Sequence, residues 1–151
     1  MAFLQNCWYV LGWDREFPAG EVRAWMALNT PLVLYRKRDG GPVVFEDRCC
    51  HRLAPLSLGE QEGDELRCMY HGLKFAPSGQ CVEIPGQERV PPNYGVRSYP
   101  VIERHSWVWV WMGDPAMADP ALIPESFGLD DERYILRTGR MDYQANYMLI
   151  N

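Results

Sequence analysis

The sequence predicts an all-β domain of small antiparallel sheets or a barrel, with two loops built to hold a ligand. Three observations predict it. Short runs of apolar, aromatic and β-branched residues recur along the chain, and Gly and Pro stand between them. Asp39-Gly40-Gly41 and Pro77-Ser78-Gly79-Gln80 are turn sequences that each lie between two such runs. The longest clear pattern has a period of two, not the 3.6 of a helix.

The elements follow in order. Residues 8–11, 22–28 and 32–35 are strand candidates. The Asp39-Gly40-Gly41 turn leads into Val43-Val44-Phe45, giving a hairpin from Leu34 to Phe45. A second hairpin joins Leu73-Lys74-Phe75 to Cys81-Val82-Glu83-Ile84. Trp107, Trp109 and Trp111 then alternate with Val108 and Val110, so one strand carries three indoles on one face. Core packing accounts for such a stripe better than ligand stacking does. Strands this short and this frequent suit a small barrel or sandwich.

After Asp114-Pro115 the character changes. Residues 115–132 are rich in Pro, Ala and acid, as in a linker, and 133–141 read as one more strand. Residues 143–151 read as the beginning of a new element. The expected division is a domain over 1–114, then a linker and the truncated start of a second domain over 115–151.

Composition narrows the function. With 47% hydrophobic residues the chain can bury a real core. A net charge of −5, from 15 Lys+Arg against 20 Asp+Glu, argues against nucleic acid as a partner. No apolar run is long enough to span a membrane. Met1-Ala2-Phe3-Leu4-Gln5-Asn6 lacks the basic start and apolar core of a signal peptide, so the expected location is cytoplasmic. The five cysteines are an odd number, and the Cys/His groupings favour metal binding over a disulfide framework.

Two groupings carry the chemistry. Cys49-Cys50-His51 is a C-x-H, and Cys68-Met69-Tyr70-His71 is a C-x-x-H. Each follows a predicted strand, so two loops can offer two ligands apiece. Thiolate suits iron–sulfur centres and imidazole suits borderline ions. A [2Fe–2S] cluster held by two Cys on one iron and two His on the other uses this set. Neutral imidazole in place of thiolate removes negative charge and raises the reduction potential. Each imidazole also keeps a nitrogen that can lose a proton, which couples electron transfer to protonation. Two Cys and two His also suit structural zinc, but zinc fingers usually group like ligands, whereas here each half is mixed.

Cys49-Cys50-His51-Arg52, Ala54-Pro55-Leu56, Cys68-Met69-Tyr70-His71-Gly72-Leu73 and Pro85-Gly86-Gln87 resemble the N-terminal Rieske domain of Rieske non-haem iron oxygenases. Within that family the chain resembles the oxygenase components of vanillate O-demethylase and toluenesulfonate methyl-monooxygenase. Asn6-Cys7-Trp8-Tyr9-Val10, Val108-Trp109-Val110-Trp111 with Gly113-Asp114-Pro115, and Tyr143-Gln144-Ala145-Asn146-Tyr147 fit the same group.

The resemblance implies a Rieske-type [2Fe–2S] domain followed by the truncated start of an α+β catalytic domain. It implies that Cys49, His51, Cys68 and His71 bind the cluster. The full-length parent would add a mononuclear Fe(II), an aromatic acid substrate, an NADH-dependent flavin and iron–sulfur reductase, and a homotrimeric assembly. No His follows residue 105, so this chain cannot build the two-His, one-carboxylate iron site, and alone it is not expected to be catalytically competent. A stand-alone Rieske ferredoxin is the alternative. Such a carrier would end near residues 111–114, whereas this chain continues.

The resemblance also sets finer expectations. Many relatives have Pro at the position of Cys50, which is taken here as a spectator. Respiratory Rieske proteins carry a loop-bridging disulfide at the positions of Ala54 and Tyr70, which cannot form here. They carry a serine where this chain has Leu73, so one hydrogen bond to sulfur is missing and a potential in the lower Rieske range follows. Arg52 and Gly72 are expected to shape the ligand loops, and Pro85-Gly86 to form a covering loop or an ordinary turn. Cys7 and Cys81 are read as small buried hydrophobes and His105 as a surface residue. Glu60, Glu62, Asp64 and Glu65 are read as a solvated acidic loop rather than a reductase-docking patch.

Overall fold

A computed structural model describes residues 3–129, 131–139 and 141–149. Eleven strands form three antiparallel sheets among these residues. The first sheet has the order β1 (Cys7–Trp13), β11 (Trp107–Met112), β10 (Val101–Arg104). The second is β2 (Arg23–Ala27), β3 (Thr30–Arg36), β4 (Pro42–Glu46), β9 (Ser98–Tyr99). The third is β5 (Glu60–Glu62), β6 (Glu65–Arg67), β7 (Lys74–Phe75), β8 (Cys81–Glu83). Among the described residues no helix is long and apolar enough to cross a membrane.

The second sheet is central, and the sequence of β3 shows why. Leu32-Val33-Leu34-Tyr35 is continuously apolar, and all four side chains are buried. Their Cβ atoms alternate across the sheet. Leu32 and Leu34 pack with Val44, Val108, Val110 and Met112 towards the first sheet. Val33 and Tyr35 pack with Val43, Phe45, Leu66 and Phe75 towards the third. A strand covered on both faces has no reason to alternate apolar with polar. Both predicted hairpins form, with Arg36 opposite Pro42 in one and Lys74 opposite Glu83 in the other.

The tryptophan stripe packs, but on the face of β11 away from this core. Trp111 meets Trp8 edge-on at 5.4 Å, and Trp107 meets Trp13 at 5.1 Å. The segment after Asp114 is strapped near these rings. Trp111 Nε1 donates to the Asp114 carbonyl at 2.8 Å and Trp8 Nε1 to the Asp119 carbonyl at 2.8 Å. Arg104 Nη2 pairs with Glu125 at 2.5 Å, and Ile123 is buried. Residues 115–123 thus close over the first sheet through two 3₁₀ turns.

Two sequence expectations change, and two others lie partly outside the described residues. Residues 133–139 and Met141 form no strand; their side chains are largely exposed and Arg140 lies outside the described residues. Of the element expected over 143–151, the described part holds a single 3₁₀ turn, with residues 150 and 151 outside them. Residues 1 and 2, part of the segment read for a signal peptide, likewise lie outside the described residues. His105 is 9% exposed, not a surface residue. It sits at φ +58 beside Ser106 at φ +61, a tight reversal between β10 and β11 that turns the ring inward.

Candidate metal centre

The chain leaves β4 after Glu46 and β6 after Arg67, and after each exit it enters a loop that carries one Cys and one His, the candidate ligand loops. The two loops share one hydrogen-bond frame. In the first, Cys49 N donates to Ala54 O at 2.9 Å and Leu53 N to Cys49 O at 2.9 Å. In the second, Cys68 N donates to Leu73 O at 2.8 Å and Gly72 N to Cys68 O at 3.0 Å. The fifth residue of each loop is left-handed, Leu53 at φ +57 and Gly72 at φ +74. Each Cys is therefore fixed at the foot of its loop, with its His farther along.

The four residues separate into two pairs. Cys49 and Cys68 are buried, 1% and 2% exposed, and belong to the core with Tyr35, Phe45, Leu66 and Phe75. Burial, and then the neighbouring Cys68 thiol, push the Cys49 thiol up to about 12, against a hydrogen bond from the His51 backbone that lowers it. His51 and His71 are exposed, their ring centroids 4.5 Å apart. Tyr70 lies against His71 at 3.9 Å. Among the described residues no group of three or more His, Cys, Asp and Glu converges as around a single ion. A thiol pair below and an imidazole pair above fit a two-metal cluster with two protein ligands per metal better than one tetrahedral zinc.

The surroundings hold this arrangement. Asp47, 9% exposed, accepts from Ser57 N at 2.7 Å and Ser57 Oγ at 2.6 Å, closing the first loop at its base. Gly72 lies against Pro85, whose Cγ would be 2.9 Å from a Cβ placed there, so the Pro85-Gly86 turn abuts the second loop. Cys81 is buried, Cys7 half-buried, and Cys50 and Arg52 exposed. None of the five cysteines is in a disulfide. A groove of about 800 Å³ lined by Leu11, Trp13, Trp25 and Trp107 includes none of the four residues.

The acidic run is a hairpin, not a solvated loop. Glu60–Glu62 and Glu65–Arg67 pair as β5 and β6. Glu62 pairs with Arg67, and Lys74 Nζ reaches Glu62 at 2.9 Å and Glu83 at 3.0 Å. Hydrogen bonds from Arg67 and Lys74 hold the Glu62 carboxyl down to about 2. Sequence reasoning missed Asp47, Ser57, Arg67 and Lys74. Ser57 lies ten residues from Asp47, in the 3₁₀ turn Leu56–Leu58, and Glu83 lies sixteen residues from Arg67, so a loop that folds back makes the first contact and strand pairing the second.

Residues 7–100 match the Rieske [2Fe-2S] domain family. The chain belongs to that family. It is 55% identical over 148 residues to the iron-sulfur subunit of a toluene-4-sulfonate monooxygenase system from Comamonas testosteroni, covering 98% of this chain and 43% of that protein. It is 42% identical to the oxygenase component of dicamba O-demethylase from Stenotrophomonas maltophilia, covering 99% and 44%. The vanillate O-demethylase oxygenase subunit of a Pseudomonas species is 37% identical, covering 98% and 41%. The crystal structure of apo dicamba monooxygenase superposes with a TM-score of 0.79 at 44% identity, covering 83% of this Rieske chain and 39% of that one. The chain thus spans about two-fifths of the length of these oxygenase components.

Proposed function

We propose that Cys49 and Cys68 hold one iron of a [2Fe–2S] cluster and His51 and His71 the other. The division of the four residues into a buried thiol pair and an exposed imidazole pair carries this reading. The cluster, when bound, supplies a one-electron carrier whose potential His ligation raises. The chain's residues set where electrons pass. The apolar core under the thiols excludes water from the sulfur side. The imidazole edge faces outward, so the shortest path to a partner runs through His51 and His71. Cys50 is exposed and stays outside the ligand set.

In the full-length protein this domain would relay electrons from an NADH-dependent flavin and iron–sulfur reductase to a mononuclear Fe(II) in a second domain. The relatives named for toluene-4-sulfonate, dicamba and vanillate support an oxygenase or demethylase acting on an aromatic acid. One neighbouring structure is described as dicamba monooxygenase with non-heme iron. A homotrimer and a cytoplasmic setting complete the reading, the latter because unbridged thiols suit a reducing compartment.

The deciding experiment is iron and acid-labile sulfide content of the purified chain, with an EPR spectrum after dithionite reduction. Two irons, two sulfides and a rhombic signal of low average g are expected. Zinc without sulfide would overturn the ligand assignment.

A further inference from the structure

We propose that Arg67 is the positioning residue of the second ligand loop, holding the arm that carries Cys68 and His71 and setting the charge beside it. The proposal rests on the cluster assignment above. The loop's own frame uses the Cys68 amide, the Cys68 carbonyl, the Gly72 amide and the Leu73 carbonyl. The Gly72 carbonyl, one residue past His71, lies outside that frame. Arg67 Nη1 donates to it at 2.7 Å. Arg67 is itself the residue before Cys68, so its guanidinium reaches from the foot of the loop to its far end.

The guanidinium is pinned on both sides. Its Nε and Nη2 face Glu62, with Nη2 at 2.9 Å from Oε2, and its Nη1 lies 3.0 Å from Glu83 Oε1. Lys74 links the same two carboxylates from the next strand. The planar guanidinium fork directs its donors to a carbonyl and two carboxylates at once, in one fixed geometry. Ordinary surface ion pairs contribute little. This one differs because it shares a donor group with a ligand loop, and because four charges on four adjacent strands fix one geometry.

Two consequences separate positioning from simple support of the fold. Losing the Arg67 charge leaves Lys74 as the one remaining described cation between Glu62 and Glu83 and makes the surroundings of the loop more negative, which disfavours added negative charge on the cluster. Neutralising the carboxylates does the opposite. Arg67→Gln therefore lowers the reduction potential, whereas a Glu62→Gln, Glu83→Gln double variant raises it. Both loosen the loop, so both release iron to a chelator faster, by about tenfold for Arg67→Gln, at the low end of the range for residues that orient ligands.

The test uses the full chain with its cluster loaded, after iron and sulfide content have established that the parent holds one. Potentials are measured by redox titration and iron release by transfer to a chelator. Opposite potential shifts with faster release in both variants support the proposal. Parent-like potential and release in Arg67→Gln overturn it and leave an ordinary surface network. If Arg67→Gln does not fold, the carboxylate variant decides: a raised potential with faster release supports the proposal, and an unchanged one overturns it. Arg67→Lys keeps the charge without the fork, and is expected to keep the potential while releasing iron faster; parent-like release in it overturns the positioning role.

Discussion

Leu53 occupies the same place in the first ligand loop that Gly72 occupies in the second. Each is the fifth residue of its loop, each donates its amide to the carbonyl of the loop's Cys, and each has a left-handed backbone. Glycine accepts that conformation freely and leucine does not. The Leu53 side chain is 66% exposed, so little packing offsets the strain. Leu53→Gly is expected to stabilise the chain by about 0.5–1 kcal/mol. Denaturant unfolding checks this; a loss of stability would mean that the exposed leucine makes up for its backbone.

The second loop predicts the reverse. A Cβ at Gly72 would meet Pro85 Cγ at 2.9 Å as well as an unfavourable φ. Gly72→Ala should cost about 2–3 kcal/mol. Pro85→Ala removes the opposing Cγ. In a double-mutant cycle the Gly72→Ala, Pro85→Ala pair should therefore be less destabilised than the sum of its parts. Additive values would show that φ alone sets the cost.

Much of this site is legible in the sequence, and the reason is local. Each loop has a Cys at its foot, a His two or three residues on and a left-handed residue at the fifth place, glycine in the second loop and leucine in the first. All of these lie within a six-residue span, as 49–54 and 68–73 do. The central hairpin is legible for the same reason, since a turn of Asp39-Gly40-Gly41 joins neighbouring strands. What escapes is set by distant pairing. His105 looked like a surface residue beside Glu103 and Arg104, but the positive φ of His105 and Ser106 turns it inward. The acids at 60–65 looked like a solvated loop because Lys74 and Glu83 come from other strands. The apparent strand over 133–141 had apolar residues but no partner strand among the described residues.

The base of the first loop makes a separate prediction. Asp47 receives both hydrogen bonds of Ser57 and is nearly buried. Asp47→Ala strands the Ser57 amide and hydroxyl, and should cost about 2–4 kcal/mol. Ser57→Ala removes one bond and should cost about 1–1.5 kcal/mol. Thermal or denaturant unfolding gives both values. Equal effects would mean that Asp47 matters only through the Ser57 hydroxyl.

Glu62 gives the chain a pH dependence whose sign follows from its partners. Hydrogen bonds from Arg67 and Lys74 lower its carboxyl from an ordinary 4.5 to about 2. The folded state therefore binds the proton more weakly than the unfolded chain does. Its contribution is complete above pH 4.5, shrinks as pH falls and is gone below about 2. Glu83 is lowered for the same reason and adds to the slope. Glu62→Gln should be less stable than the parent at pH 6, and the gap should close steadily through the acid window. Salt should narrow the gap at pH 6 as well, because these side chains are partly exposed and screened. Thermal midpoints of parent and variant across this range decide it: parallel curves would place the acid sensitivity of the chain elsewhere than in the Arg67 network.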